Sequence, residues 1–237
     1  MSRLAVVLLL ALSLRGCVAY EFEHEFWIRV DGSGSVNVTA RPELWGAMKG
    51  VRVSPTDEDS ARAAVRTLFE SSGLSVRRVT LTHRGGRPYV FVAADFTDVN
   101  RLAGTPAFPD LALSVRAEGE NLRLDGRWSR PSGLPDIPLE SRDGLMAVRF
   151  HLPSKVYSHR NAFAGVERGN IVAWRETVTE GLAGRPLEVG ALIDRRSILR
   201  STIGLFAIAI AIALGILASI IWWVVRKGRE AQAANRP

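Results

Sequence analysis

The sequence predicts an α+β domain, an antiparallel β-sheet of hairpins with one main packed helix, followed by a C-terminal transmembrane helix. Three observations carry this prediction. Short segments of alternating hydrophobicity recur between turn residues, one amphipathic segment with helical periodicity lies among them, and residues 203–225 form an apolar run without a charge.

The first hairpin is predicted in YEFEHEFWIRVDGSGSVNVTA, residues 20–40. Phe22, His24 and Phe26 alternate with glutamates, so one face of this strand is apolar and the other is charged. Residues 31–34, DGSG, supply a turn in which the glycines tolerate positive φ. A return strand follows this turn.

The main helix is predicted in SPTDEDSARAAVRTLFESSG, residues 54–73. Ser54 or Thr56 can cap its N-terminus, and three acidic residues then oppose the positive end of the helix dipole. Apolar residues recur at helical spacing through the segment, and Gly73 ends it. We therefore expect this helix to lie with its apolar stripe on one face of the sheet.

Further elements follow in the same pattern of strand, turn and strand. Strands are predicted at residues 74–83, 88–96, 111–118, 122–128 and 145–152, with a short helix near 98–102 and a loop rich in Pro and Gly at 129–144. The runs GNIVAWRETV and PLEVGALI, joined by Gly181 and Gly184, predict a last hairpin. The pattern leaves open whether residues 129–200 join the first sheet or form their own lobe.

Most of the net positive charge of the chain lies near its two ends. The whole chain carries a net charge of +7, but residues 18–200 hold 25 Lys and Arg against 23 Asp and Glu. A nearly neutral domain argues against nucleic acid as a partner, because nucleic-acid binding needs a concentrated basic face. The single cysteine excludes an intrachain disulfide and a cysteine-based zinc site.

The pattern of residues 1–16 predicts a signal peptide of the lipoprotein type. A positive start precedes the apolar run 4–14, which is too short to cross a bilayer. The sequence LRGC, residues 14–17, resembles a bacterial lipobox, which predicts lipidation of Cys17, although Arg15 departs from the usual pattern. The alternative is cleavage after Ala19, in which case the protein carries no lipid.

The C-terminal run 203–225 is predicted to span a membrane. Its 23 residues would reach about 35 Å as a helix, against a hydrocarbon core of roughly 30 Å. Trp222 and Trp223 lie at its end, where indole rings favour the headgroup layer. The predicted organisation is therefore an extracytoplasmic domain at 17–200, this helix, and a short basic cytoplasmic tail at 226–237.

Two sets of residues near the span are candidate contact sites. Positive residues just before it could meet anionic lipid headgroups: Arg195, Arg196 and Arg200. Small residues at every fourth position within it could let two helices approach closely: Ala207, Ala211, Gly215 and Ser219. The membrane lipids, and a membrane-protein partner or a second copy of this chain, are therefore the expected partners.

The residues offer no catalytic, metal or cofactor motif. The four histidines have no metal-ligand spacing, and the glycine-rich nucleotide motifs and the serine-nucleophile motif are absent. His24 is interpreted as a packed core residue, since the neighbouring glutamates point to the opposite face. A group of aromatic residues could fill a core, line a cavity for an acyl chain or face the bilayer, and the core is favoured: Phe22, Phe26, Trp27, Trp45, Trp128 and Trp174.

The segments RGCVAYEFEHEFWIRVDGSGSV and NIVAWRETV…PLEVGALI, with the closing apolar helix, resemble the LppM-type family of bacterial envelope lipoproteins. The resemblance implies an extracytoplasmic α+β domain that interacts with lipid or glycolipid, and it transfers no functional residue. We therefore expect a non-catalytic binding domain of the bacterial cell membrane, without a cofactor. The alternative is a structural or assembly subunit that recruits another membrane protein.

Overall fold

The computed structural model of the chain describes residues 20–134, 136, 143–195 and 198–234, and for 198–201 and 228–234 it describes the backbone alone. Within these residues eleven strands form two sheets. The strands are β1 (Phe22–Ile28), β2 (Gly34–Ala40), β3 (Ser75–Arg84), β4 (Arg87–Phe96), β5 (Leu111–Glu118), β6 (Asn121–Trp128), β7 (Leu145–His151), β8 (Val156–His159), β9 (Phe163–Glu167), β10 (Ile171–Thr177) and β11 (Leu187–Asp194).

The helices are α1 (Pro42–Lys49), α2 (Glu58–Glu70), α3 (Val178–Leu182) and α4 (Ile198–Ala234), with a 3-10 helix at Val99–Arg101. Helix α2 confirms the predicted main helix and packs on β3 and β4. Its N-cap is Asp57, which accepts a hydrogen bond from the Ser60 amide at 3.0 Å. The prediction of Ser54 or Thr56 as cap is wrong, because the helix begins at Glu58 and its cap is the residue just before it. Ser54 Oγ instead accepts a hydrogen bond from the Asp57 amide.

The strand pairing confirms the α+β fold class and divides it into two sheets. A seven-stranded sheet has the order β3-β4-β2-β1-β7-β10-β9, and a four-stranded sheet has the order β5-β6-β11-β8. Every described pairing is antiparallel except that of β1 with β7, which is parallel. Strands after residue 144 pair with earlier strands in both sheets, so they complete the first half of the domain.

The predicted last hairpin is wrong. Its two strands are present, but β10 pairs with β7 and β9 in the larger sheet, whereas β11 pairs with β6 and β8 in the smaller one. Helix α3 lies between them and is closed by a capping box of Thr177 and Glu180. The chain changes sheets here because this turn of helix replaces the short loop that a hairpin needs.

The hydrophobic core lies between the two sheets and beneath α1 and α2. The favoured interpretation of the aromatic residues as core is confirmed for five of the six, which are at most 1% exposed: Phe22, Phe26, Trp45, Trp128 and Trp174. Trp27 points instead to the opposite face of β1. The fully buried rings pack against one another in tilted and edge-on contacts, as at Phe22 and Trp128 with centroids 5.4 Å apart.

Candidate functional site

The face of the seven-stranded sheet that points away from the core carries a row of charged and aromatic side chains. Strand alternation sends Phe22, His24 and Phe26 inward and leaves Glu23, Glu25 and Trp27 outward. On the neighbouring strand the register places Arg149 beside Glu25 and His151 beside Trp27. We call Glu23, Glu25, Arg149 and His151 the outer-face cluster.

The members of the outer-face cluster contact one another directly. His151 Nε2 lies 2.8 Å from Glu25 Oε1, which is hydrogen-bond distance. The Arg149 guanidinium lies 3.9 Å from a Glu23 oxygen and 3.8 Å from a Glu25 oxygen. All four side chains are between 20% and 31% exposed, so a molecule placed on the sheet can reach them.

Aromatic surface borders the outer-face cluster. The Trp27 indole stacks on the His151 ring, with centroids 4.6 Å apart and planes 13° from parallel. Two strands away, the Arg175 guanidinium lies 3.0 Å from the centroid of the Phe163 ring, a cation–π contact. Phe163 is 43% exposed. Flat rings next to fixed charges suit the binding of a molecule that is partly apolar and partly polar.

Burial raises the pKa of the Glu23 carboxyl above its ordinary value. The Arg149 charge opposes this shift by stabilising the ionised form, and the charge of Glu25 adds to it. A raised pKa beside a histidine can serve acid–base chemistry, but no described residue here is a nucleophile or an oxyanion donor aimed at a common point. Within the described residues no three His, Cys, Asp or Glu side chains gather to hold a metal ion.

A second polar cluster lies inside the core. Lys49 Nζ donates to Asp110 Oδ1 at 2.9 Å and to the Ala107 carbonyl at 2.5 Å, and Trp128 Nε1 donates to Asp110 Oδ2 at 2.8 Å. His24 Nε2 lies 3.8 Å from Asp110 Oδ2, beyond hydrogen-bond distance. We call Lys49, Asp110, Trp128 and His24 the core cluster.

The core cluster is closed to solvent, and this decides its role. The Lys49, Asp110 and His24 side chains are 0% exposed. Burial lowers the pKa of Lys49, and the adjacent Asp110 carboxylate partly restores it. Burial also lowers the pKa of His24 well below its ordinary value, with a further contribution from the Lys49 charge, so the imidazole is neutral. The cluster ties α1 and β1 to the smaller sheet and cannot meet a ligand.

The two hollows described on the folded domain are open to solvent rather than deep. Both lie on the four-stranded sheet, with volumes of about 330 and 170 Å³. Asp125 and Arg160 border both hollows, and Gly190 is among the residues that line the smaller one. The space between the sheets is filled by aromatic side chains, so the acyl-chain cavity considered from the sequence finds no support in this region.

The predicted contact residues before the span lie at the edge of the described region. Arg195 is exposed and its amide donates to the Glu120 carbonyl at 3.3 Å. Arg200 lies on α4, but its side chain is not among those described, and Arg196 and Cys17 lie outside the described residues. Headgroup contact by the three arginines and lipidation of Cys17 therefore stay predictions.

The residues of the predicted helix–helix stripe lie within α4 and are exposed: Ala207, Ala211, Gly215 and Ser219. Ser219 Oγ donates to the Gly215 carbonyl at 2.8 Å, so its hydroxyl is satisfied within the helix. Residues Thr202–Lys227 have a mean hydropathy of 2.7, and by length and composition they can cross a membrane. The chain thus has a helix that fits membrane association.

Sequence reasoning missed most of both clusters. Glu23, Glu25 and His24 were assigned to the correct faces of β1, because alternation fixes faces. The contacts within the clusters join residues far apart in sequence, because His151 lies 126 residues from Glu25 and Asp110 lies 61 residues from Lys49. No local signal gives such pairings. The near absence of lysine, present only at 49, 155 and 227, is the one signal that could have drawn attention to Lys49.

Comparison with known proteins gives little beyond the fold. No protein family model matches the chain, and no curated protein matches it. The chain is similar to the NMR structure of the folded domain of LppM from Mycobacterium tuberculosis. The match covers 75% of this chain and 92% of the LppM chain. The identity is 17% and the TM-score is 0.42. The sequence resemblance to LppM-type proteins thus finds a weak likeness in overall fold.

Proposed function

We propose that this chain is a membrane-anchored extracytoplasmic protein of the bacterial envelope, whose α+β domain binds a lipid, a glycolipid or an envelope partner without catalysis. The observation that carries the proposal is the helix Thr202–Lys227, none of which is buried in the protein. Its 26 residues would reach about 39 Å, more than the hydrocarbon core of roughly 30 Å. An apolar helix of this length needs a bilayer to cover it.

The orientation follows from the leader sequence. A signal peptide at 1–16 sends residues 17–200 across the membrane, and the apolar helix then stops transfer with the basic tail in the cytoplasm. Lipidation of Cys17 would tether the domain at a second point. The helix alone holds the protein in the membrane, because a single acyl chain adds only marginal binding.

The binding role rests on the outer-face cluster and its aromatic border. This face offers charged groups of both signs and exposed rings, whereas the interior is filled. A ligand that lies across the sheet therefore suits the domain better than one that enters it. The outer-face cluster contains no nucleophile and does not converge on one reacting atom. This favours a binding role over a catalytic one.

Protease digestion of intact spheroplasts tests the anchoring and the orientation. Residues 18–200 should be cleaved from outside, while a tag on the tail at 226–237 should be cleaved only after the membrane is broken. Protection of the domain in intact spheroplasts, or a protein that stays soluble after lysis, contradicts the proposal. The intact mass of the extracted protein decides between a lipid adduct on Cys17 and an N-terminus at Tyr20.

Copurification from native membranes tests the binding role. The full chain, a Trp27→Ala/Arg149→Gln variant and an Arg116→Gln variant are extracted in parallel, and their bound lipids and proteins are identified by mass spectrometry. Arg116 is the matched control, because it pairs with Asp125 at 3.0 Å on the other sheet. Loss of a bound species only from the outer-face variant supports the proposal, and equal recovery from all three contradicts it.

The second candidate function is a structural or assembly subunit, favoured by the stripe Ala207, Ala211, Gly215 and Ser219. Such a subunit would recruit a membrane protein, or a second copy of itself, through the helix. Replacing Ala211 and Gly215 by leucine should abolish crosslinking of the chain to that partner and leave the outer-face ligand bound. Leucine at the neighbouring positions Ala209 and Ala213 provides the control.

A further inference from the structure

The chain between the folded domain and the apolar helix is very short. Strand β11 ends at Asp194 and α4 begins at Ile198, so three residues separate them. Even fully extended, that segment spans only about 14 Å between these two residues. The segment that can cross the membrane begins four residues later, at Thr202, about 6 Å further along the helix.

This distance ties one end of the domain to the bilayer. A segment of 26 residues is longer than the hydrocarbon core, so its first turn already lies in the headgroup layer. The C-terminal end of β11 must therefore lie close above the headgroups. We call the residues gathered around it the anchor end: Glu120, Lys155, Tyr157, Gly169 and Arg195.

Backbone hydrogen bonds hold the anchor end together across both sheets. The Asp194 amide donates to the Lys155 carbonyl at 2.9 Å, and the Arg195 amide donates to the Glu120 carbonyl at 3.3 Å. The Val156 amide donates to the Gly169 carbonyl at 2.9 Å, which joins β8 to the turn between β9 and β10. The surface that faces the membrane is thus rigidly fixed to the fold.

Tyr157 is the conspicuous side chain of the anchor end. Its side chain is 54% exposed. Within the described part of the domain, the other exposed large apolar side chains are Val30 and Phe163. Its hydroxyl donates to Asp194 Oδ2 at 2.9 Å, and Lys155 Nζ lies 5.8 Å from its ring centroid. An exposed ring with a polar tip beside a lysine is what the headgroup layer of a membrane accommodates.

We propose that the anchor end of the domain rests on the bilayer that holds α4, with the Tyr157 ring inserted in the headgroup layer. This contact fixes how the domain stands on the membrane and leaves the outer face of the larger sheet free for its ligand. The inference rests on the proposed membrane anchoring. It extends that proposal by naming the surface that lies against the lipid and the side chain that enters it.

The test uses the full chain with Cys17→Ser in nanodiscs of phosphatidylcholine and phosphatidylglycerol, with a nitroxide on one introduced cysteine at a time. Tyr157→Cys reports the anchor end, and Ile210→Cys reports the span. Ala183→Cys is the control for a water-exposed site, because Ala183 is exposed and lies just after α3, four residues before the start of β11. Collision with oxygen and with a water-soluble nickel chelate gives the depth of each label.

The proposal predicts severalfold less access of the nickel chelate to the label at 157 than to the label at 183. If 157 and 183 are equally accessible while 210 reports hydrocarbon, the anchor end does not rest on the membrane and this inference is overturned. If 210 is itself accessible to the chelate, the membrane anchoring has failed instead, and the inference falls with it.

A second measurement tests the role of the ring. The label is placed at Ser158, and Tyr157 is changed to Phe or to Ser. Tyr157→Phe keeps the ring and should leave the label at its depth, whereas Tyr157→Ser should raise its access to the nickel chelate severalfold. Equal depth in the two variants overturns the assignment of Tyr157 as the inserted side chain, since both retain the same backbone at an exposed position.

Discussion

The core cluster and the outer-face cluster lie on opposite faces of the same strand, β1, and use the same kinds of residue. Each combines a histidine, a carboxylate and a cationic side chain. In the core cluster the side chains of Lys49 and Asp110 are 0% exposed, whereas Arg149 and Glu25 of the outer-face cluster are 31% and 23% exposed.

This difference in exposure sets what each cluster can do. Charges removed from water must have partners at close range, so the core cluster is a fixed tie between α1 and the smaller sheet. Charges that keep contact with water can exchange one partner for another at little cost. The outer-face cluster is therefore the one that can accept a ligand.

Removing Asp110 should give the largest effect. Asp110→Ala leaves the Lys49 ammonium without its buried carboxylate, and we expect a loss of about 3–5 kcal/mol in the free energy of unfolding. The double variant Lys49→Met/Asp110→Asn should be less destabilised than Asp110→Ala, because no buried charge remains. Urea unfolding of the reconstituted protein measures both, and equal losses would show that the charge pair does not govern this site.

Glu176 extends the comparison to a buried carboxyl group with one oxygen that lacks a hydrogen bond. Its Oε1 makes no hydrogen bond, and burial, with a smaller contribution from Glu180, raises its pKa to about 7. The unfolded chain releases this proton near pH 4.5, but the folded protein keeps it until about pH 7, so stability falls as pH rises through that window.

Glu176→Gln should remove this pH dependence. Relative to the variant, the wild-type protein should lose stability between pH 4.5 and 7, by about 3 kcal/mol at most. Unfolding at several pH values measures the difference. A constant difference across the window would mean that Glu176 ionises normally in the folded protein.

His24 of the core cluster should give a pH dependence of stability opposite in sign to that of Glu176. Because its pKa is lowered in the folded protein, the unfolded chain takes up a proton first as pH falls below 6.5. Stability is therefore lost by about 1.4 kcal/mol per pH unit below that value, until the folded imidazole also protonates. His24→Leu should lack this loss, and parallel pH curves for the two proteins would contradict it.

The outer-face cluster should give the smallest effect on stability. Glu25→Gln weakens the contacts with His151 and Arg149, and we expect a change of less than about 1 kcal/mol in the free energy of unfolding. Under the proposed binding role, the same substitution should nevertheless alter which lipids or proteins copurify with the chain from membranes. A loss of several kcal/mol would show that this cluster is as structural as the core cluster.

The local elements of the fold were predictable because their causes lie in neighbouring residues. Strand alternation assigned His24 inward and Glu25 outward, and the structure confirms both. The amphipathic stripe gave α2, with Ala61, Val65 and Phe69 buried. Helix α1 was missed because it is short and begins at Pro42, which the sequence alone does not distinguish from a turn.

The pairing of distant strands was not predictable in the same way. β1 and β7 lie side by side in parallel although more than 110 residues separate them, and this pairing alone brings Arg149 and His151 to Glu25. Likewise β10 and β11 look like a hairpin in sequence but belong to different sheets. The sheet edge that a strand joins depends on how much apolar surface the strand covers at that edge. This surface exists only in the assembled domain.

The sequence by itself determined the fold class, the faces of the strands, and the apolar helix that can cross a membrane, because periodicity and composition act over a few residues at a time. The tertiary structure alone decided which charges are buried and which stay in contact with water. It also decided that Tyr157 of β8 lies beside Asp194, at the end of β11 that precedes the apolar helix. The burial of a side chain depends on segments that come together from distant parts of the chain, so the sequence of one segment does not predict it.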